Sequence, residues 1–237
     1  MGFFLSMLKL ATKFAPHASA LAMARDAGYR YAEIWTDAAV LADWRAVAER
    51  CAGYPLEYVV HFPNREPRDE RSLADAVSLC RQLACPAMVI HQPLFDRLSG
   101  RLLALDAGLP LAVENHQLTP AEFEAWAENN PGLTLDVEHL WLYTLHDGPL
   151  DELLAAVASF LDRYAHKLLH VHMPGYQPGQ GAHRPMHTSP DMVLGVFTLL
   201  AEHRYQGFIV SELAGEYQTP EVLEADMALF HGWSGKA

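Results

Sequence analysis

Ala87-Met88-Val89-Ile90-His91-Gln92 decides the fold. Its centre, Met88-Val89-Ile90, is apolar without alternation, and Phe208-Ile209-Val210 repeats the pattern. Strict alternation marks a strand with one wet face. Continuous apolarity over so short a run marks a strand covered on both faces, as in a parallel sheet flanked by helices. Working outward, comparable runs are expected as strands near 8–14, 30–35, 57–62, 87–92, 109–115, 133–137, 168–173 and 207–213. Between them the pattern predicts helices over 16–27, 38–51, 69–84, 94–107, 120–128, 150–165, 190–202 and 220–230.

The punctuation agrees. Thr119-Pro120, Ser189-Pro190 and Thr219-Pro220 each put a capping residue before a proline suited to the first helical turn. Glu122 stands three after Thr119, the spacing of a capping box. Gly28, Gly108, Gly132 and Gly207 fall just before strands, where helix-ending turns are expected. Eight strand-then-helix units predict a single α/β domain closed as a (β/α)8 barrel. The alternative, an open doubly wound sheet, carries a glycine-rich loop after its first strand. Lys13-Phe14-Ala15-Pro16-His17 contains no glycine. The one domain spans 1–237, with 1–6 read as a short extension.

The chain has 237 residues, 51% hydrophobic and 19% charged, as expected of a globular protein. Seventeen Lys+Arg against 29 Asp+Glu leave a formal charge of -12, which repels phosphate backbones and argues against nucleic acid as a partner. No apolar run is long enough for a membrane span. Cys51, Cys80 and Cys85 form no ligand pair, and an odd, sparse set suggests reduced thiols in a cytoplasmic protein.

The last residues of the expected strands are Glu33, His61, His91, Glu114, Asp136, His172 and Glu212. His139 follows Asp136 by three, and His187 lies in the long Gly/Pro-rich segment 174–188, a candidate lid. A barrel gathers its strand C-termini on one face. Charges collected there need a shared partner, and a metal ion is the simplest. Mixed carboxylate and imidazole ligands suit Mn, Zn, Fe or Co better than Ca or Mg.

The ordered series His61-Phe62-Pro63, Val89-Ile90-His91, Ala112-Val113-Glu114-Asn115, Leu135-Asp136-Val137-Glu138-His139, His170-Val171-His172 and Val210-Ser211-Glu212 resembles the xylose isomerase-like TIM barrel superfamily. That superfamily includes sugar phosphate isomerases and epimerases and the endonuclease IV family. The resemblance implies a metal tetrad of Glu114, Asp136, His172 and Glu212. In the epimerase branch, Glu114 and Glu212 also match the two catalytic glutamates that move a proton next to a carbonyl. In the endonuclease IV branch, His61, His91, His139 and His187 match ligands of two additional zinc ions. The chain departs from both branches at Met173-Pro174-Gly175 after His172, and from the second at Pro185, where an aspartate precedes the loop histidine.

Other residues keep two readings. Glu33 is a substrate contact or the partner of a nearby cation. His61 and His91 are ligands or pocket wall. His170 sits deeper than His172 and suits a supporting role. Trp35, Phe62, Trp141 and Tyr143 suit sugar faces or rim packing. Lys13 and Arg184 are the cations best placed for a phosphate or carboxylate. The expected activity is a divalent-metal-dependent isomerase or epimerase acting on a sugar or sugar phosphate. The expected cofactor is Mn or Zn, with one ion favoured over as many as three. The resemblance implies a homodimer as one assembly. A multi-zinc phosphoesterase is the alternative, and a non-catalytic binding barrel the third reading.

Overall fold

A computed structural model of the chain describes residues 8–67 and 69–235. The extension expected at 1–6 lies outside the described residues. Eight strands, β1 (Lys9–Phe14), β2 (Tyr31–Trp35), β3 (Glu57–His61), β4 (Met88–His91), β5 (Leu111–Glu114), β6 (Leu133–Asp136), β7 (Leu168–His172) and β8 (Phe208–Ser211), pair in parallel and in chain order. β1 pairs with β8 and closes the sheet. The fold is a (β/α)8 barrel, as the strand count predicts.

The helices are α1 (Ala18–Asp26), α2 (Ala38–Ala42), α3 (Trp44–Ala52), α4 (Glu70–Gln82), α5 (Gln92–Leu105), α6 (Pro120–Asn129), α7 (Val137–His139, continuing as a wider π turn over Leu140–Thr144), α8 (Leu150–Tyr164), α9 (Pro190–Glu202) and α10 (Pro220–Ser234). Two differ from expectation. The segment 38–51 reads as one helix, but it breaks at Asp43, whose φ of -112° and ψ of 26° leave the helical region. The α7 turn falls in a stretch without helical periodicity. It is started by the Asp136 carboxylate, whose Oδ1 accepts the His139 N–H at 2.7 Å. The Thr119–Glu122 capping box forms as read. Ser189 makes no side-chain cap, and its buried hydroxyl has no partner.

The period of two along each strand divides the core. Outward-facing Ile34, Val60, Ile90, Val113, Leu135, Val171 and Ile209 join the large cluster under the helices. Inward-facing Ala11, Val59, Val89, Ala112 and Val210 fill the barrel floor. One step of two further along, the same inward row becomes Lys13, His61, His91, Glu114 and Glu212. The apolar floor therefore supports an ionisable layer above it, at the C-terminal end of the barrel. Cys51, Cys80 and Cys85 are free and buried. Among the described residues no helix is long and apolar enough to cross a membrane.

Gly207 enters β8 where there is no room for a side chain. An added Cβ would lie 2.3 Å from the Leu169 carbonyl oxygen and 2.2 Å from the Tyr205 hydroxyl. That hydroxyl also caps the strand start through the Phe208 carbonyl at 3.0 Å. Gly207→Ala is expected to cost about 1–3 kcal/mol in urea unfolding, the range for forced overpacking. An unchanged midpoint would mean that β7 and β8 are less closely apposed here than described.

Candidate metal centre and active site

Strand register builds the site. Lys13 stands beside Glu33, His91 beside Glu114, and Asp136 beside His172. The Lys13 ammonium lies 2.6 Å from Glu212 Oε1 and 3.0 Å from Glu33 Oε1. Glu33 Oε2 accepts from His172 Nε2 at 2.9 Å and from His170 Nε2 at 2.5 Å. Glu33 is fully buried and paired with Lys13 and two imidazoles, and Glu33, His170 and His172 are also close enough to share an ion.

These bonds decide where the remaining lone pairs point. A carboxylate only accepts, so His172 Nε2 carries the proton given to Glu33, and in the neutral ring Nδ1 presents a lone pair. That Nδ1 faces Glu212 Oε2 at 2.9 Å, Glu114 Oε1 at 3.4 Å and Asp136 Oδ2 at 3.7 Å. His172 Nδ1, Asp136 Oδ2 and Glu212 Oε2 are all buried without a hydrogen-bond partner. Acceptors converging in this way are stabilised by a second proton on His172 or by a cation shared between them. The candidate ligand atoms of Glu114, Asp136, His172 and Glu212 all lie within 4.8 Å of one another, close enough to share one ion. This donor set of three carboxylates and one imidazole fits a divalent metal.

The field of the cluster agrees. Burial opposes the charge on Glu212, but His172 and Lys13 outweigh it and hold the carboxyl well below its ordinary range. Burial likewise opposes the charge on Glu114 and is outweighed by His172 and its other imidazole partners. Burial would strip His172 of a second proton, yet Glu212, Glu33 and Glu114 raise its pKa instead. A site whose field favours an added proton there also favours a metal cation.

A second group adjoins the first. His61 Nδ1 lies 2.7 Å from the Phe62 carbonyl, to which it donates, so Nε2 is the lone-pair nitrogen facing Glu114 Oε2 at 3.3 Å. His91 Nε2 reaches the same oxygen at 3.3 Å. His61, His91 and Glu114 are also close enough to share an ion. His139 donates Nδ1–H to the Asn115 carbonyl at 2.9 Å, and that nitrogen lies 3.5 Å from Glu114 Oε1 and 3.6 Å from Asp136 Oδ2. Asn115 braces the Asp136 backbone with two hydrogen bonds, 2.7 and 3.0 Å.

Other expected residues lie apart. His187 gives its N–H and Nδ1 to Asp226 Oδ1 at 2.9 and 2.7 Å. Among the described residues, the groups close enough to share an ion do not include it. Trp141 is buried, donates to the Gly148 carbonyl at 2.7 Å and packs edge-on against Tyr176. Trp35 does line a cavity of about 340 Å³ at the mouth of the site, together with Lys13, Asn64, His183, Glu212 and Gln218. Trp35 and Asn64 are shared with a larger cavity of about 950 Å³ that takes in Arg65. The segment 174–188 is tied down by a Gly175–Arg184 bridge, and only 177–182 is exposed throughout.

Strand-end position does not mark Asp226 or Glu138. Asp226 sits between Leu223 and Met227 on the buried face of α10, and an acid in an apolar helical stripe was the available signal. It also accepts from Ser211, the residue before Glu212, at 2.7 Å. Glu138 is buried. Burial and the neighbouring Asp136 push its carboxyl up to about 7, with His183 opposing.

A family model described as xylose isomerase-like TIM barrel matches residues 21–231. The chain belongs to that family. Several solved structures share the barrel fold. A D-allulose 3-epimerase from Methylomonas sp., solved in complex with D-allulose, is 16% identical, with a TM-score of 0.64 over 95% of this chain and 96% of that one. An L-ribulose 3-epimerase is 15% identical, with a TM-score of 0.62 over 97% and 95%. A D-tagatose 3-epimerase-like protein is 16% identical, with a TM-score of 0.60 over 95% and 97%. At such identities the likeness shows the fold. No curated protein matches the sequence.

Proposed function

We propose that this chain is a divalent-metal-dependent isomerase or epimerase of a sugar or sugar phosphate, with Glu114 and Glu212 as the proton-transferring groups. The observation that carries the reading is that Glu114, Asp136, His172 and Glu212 bring their ligand atoms within 4.8 Å of one another, with Asp136 Oδ2 buried and unpaired among them. A divalent ion bound there supplies Lewis acidity that draws charge from a substrate carbonyl oxygen and acidifies the adjacent C–H. Lys13 holds Glu212 through Oε1, so the carboxylate stays anionic and oriented toward the cavity. Glu212 takes the proton from carbon and gives it up to solvent, and Glu114, ionised at rest, passes to the opposite face a proton it has taken from solvent. His172, fixed by Glu33, orients the ligand set. The epimerases that share the fold support a ketose as substrate class.

The multi-zinc phosphoesterase alternative draws on His61 and His91. It is not favoured, because among the described residues no group close enough to share an ion includes His187 and the net charge of -12 repels polyanions.

Two measurements test the reading. The Mn-loaded protein should exchange the C–H proton next to the carbonyl of D-allulose, L-ribulose or a ketose phosphate with D2O, as followed by proton NMR. Absence of exchange across such a panel would defeat it. Metal analysis should return about one ion per chain. At a free Mn concentration 100 times Kd, bound metal should raise unfolding stability by about 2.7 kcal/mol over the chelator-treated protein. About three zinc ions per chain would turn the assignment to the hydrolase.

A further inference from the structure

We propose that His183 is a further substrate-contacting residue of this site, reading a hydroxyl group of the sugar from the loop side of the cavity. This rests on the functional reading above and adds a specificity residue to it.

His183 lines the same 340 Å³ cavity as Lys13, Trp35 and Glu212. Its ring centroid is 6.4 Å from that of His139, which itself touches Glu114 and Asp136. The residue thus stands beside the ionisable cluster and forms part of the cavity wall. Its Nδ1 is buried with no partner on the chain. An imidazole both donates and accepts, which matches a hydroxyl, while the carboxylate of Glu212 only accepts and the ammonium of Lys13 only donates.

The backbone is held in place to present this ring. His183 has a φ of +54°, the left-handed region that disfavours side chains. The same loop places a glycine at its other left-handed position, Gly179 with φ +79°. At 183 it keeps a histidine. Three fixed contacts hold that conformation: the His183 N–H donates to Glu138 Oε2 at 2.8 Å, its carbonyl accepts from the Ala214 N–H at 2.9 Å, and Arg184 pairs with Gly175 at 2.7 and 3.2 Å. Ala84, His146, Asp147 and Arg204 share the left-handed conformation, and what sets His183 apart is its place on the cavity wall beside the ionisable cluster.

His183→Gly separates use from structure. In the Mn-loaded variant, the melting temperature without sugar should equal or exceed that of the parent by a few degrees, because glycine relieves the strain. Mn affinity should not change. The rise in melting temperature caused by D-allulose or L-ribulose should shrink, and KM for C–H exchange should rise roughly tenfold, the loss expected of one hydrogen bond. His183→Asn, which tolerates the left-handed region and keeps a donor and an acceptor, should recover part of the affinity. Sugar binding by His183→Gly equal to that of the parent would overturn the assignment alone. A melting temperature several degrees lower with KM unchanged would also overturn it, by showing a structural role. A parent protein that binds no ketose or ketose phosphate would overturn the functional reading and the assignment together.

Discussion

Glu212→Gln is expected to slow exchange of the substrate C–H proton with solvent by about 10²–10⁴-fold, the usual worth of a positioned acid or base, while the barrel stays folded. Glu212 follows β8 and is held from two sides, by Lys13 at Oε1 and by His172 at Oε2. Its side chain is 14% exposed, against 0% for Glu33 and 2% for Glu114. Of these three carboxylates it is the most open to the cavity. Glutamine keeps the shape and one oxygen but cannot take a proton. It also offers the metal or Lys13 a single oxygen where the carboxylate offers two, so Mn affinity should fall as well. Exchange measured by NMR at saturating Mn separates the effects, and circular dichroism reports the fold. Exchange at the parental rate would remove Glu212 from the chemistry.

Lys13→Met is expected to destabilise the chelator-treated protein by about 3 kcal/mol, the low end for breaking a buried ion pair. Lys13 is the cation between two carboxylates, and its side chain is 10% exposed. Burial works against its charge, but Glu212, Glu33 and Glu114 more than offset that and keep it protonated. Without it, the carboxylates of Glu33, Glu114, Asp136 and Glu212 have only imidazoles to compensate them. Glu33 keeps His170 and His172, which is why the low end applies. The double variant Lys13→Met/Glu33→Gln should recover part of the loss, since it removes a carboxylate that the ammonium neutralised. Excess Mn should also narrow the gap. Urea unfolding with chelator and with Mn measures all of these, and a Lys13→Met midpoint equal to the parent would show that the ammonium adds nothing to stability.

Lys13 also shows where reading the chain reaches its limit. As one of two cations near the strand ends it suits a phosphate or carboxylate, but the structure shows it already paired with two glutamates. Nothing in 8–14 reveals that, because Glu33 and Glu212 arrive from β2 and from the end of β8. His187 is a similar case. Its spacing suits a ligand, and Asp226, brought across by α10, accepts from its backbone N–H and its Nδ1, which leaves Nε2 as the nitrogen through which it would bind. The break in 38–51 and the α7 turn escaped for another reason. Both depend on one residue's local bonding, at Asp43 and Asp136, and helical periodicity does not register a single capping contact.

The sequence by itself determined the eight strand-and-helix units and the inward row of each strand, apolar first and ionisable two residues later. Both are local periodicities, 3.6 and 2, written in consecutive residues. The motif series already implies the tetrad Glu114, Asp136, His172 and Glu212, whose ligand atoms lie within reach of one ion. Only the tertiary structure decided that Lys13 pairs with Glu33 and Glu212, that Asp226 accepts from His187 Nδ1, and that His183 lines the cavity. The physical reason is that lone-pair direction and ion sharing depend on distances between strand ends. Barrel closure and strand register set those distances, and neither is a property of any one stretch of chain.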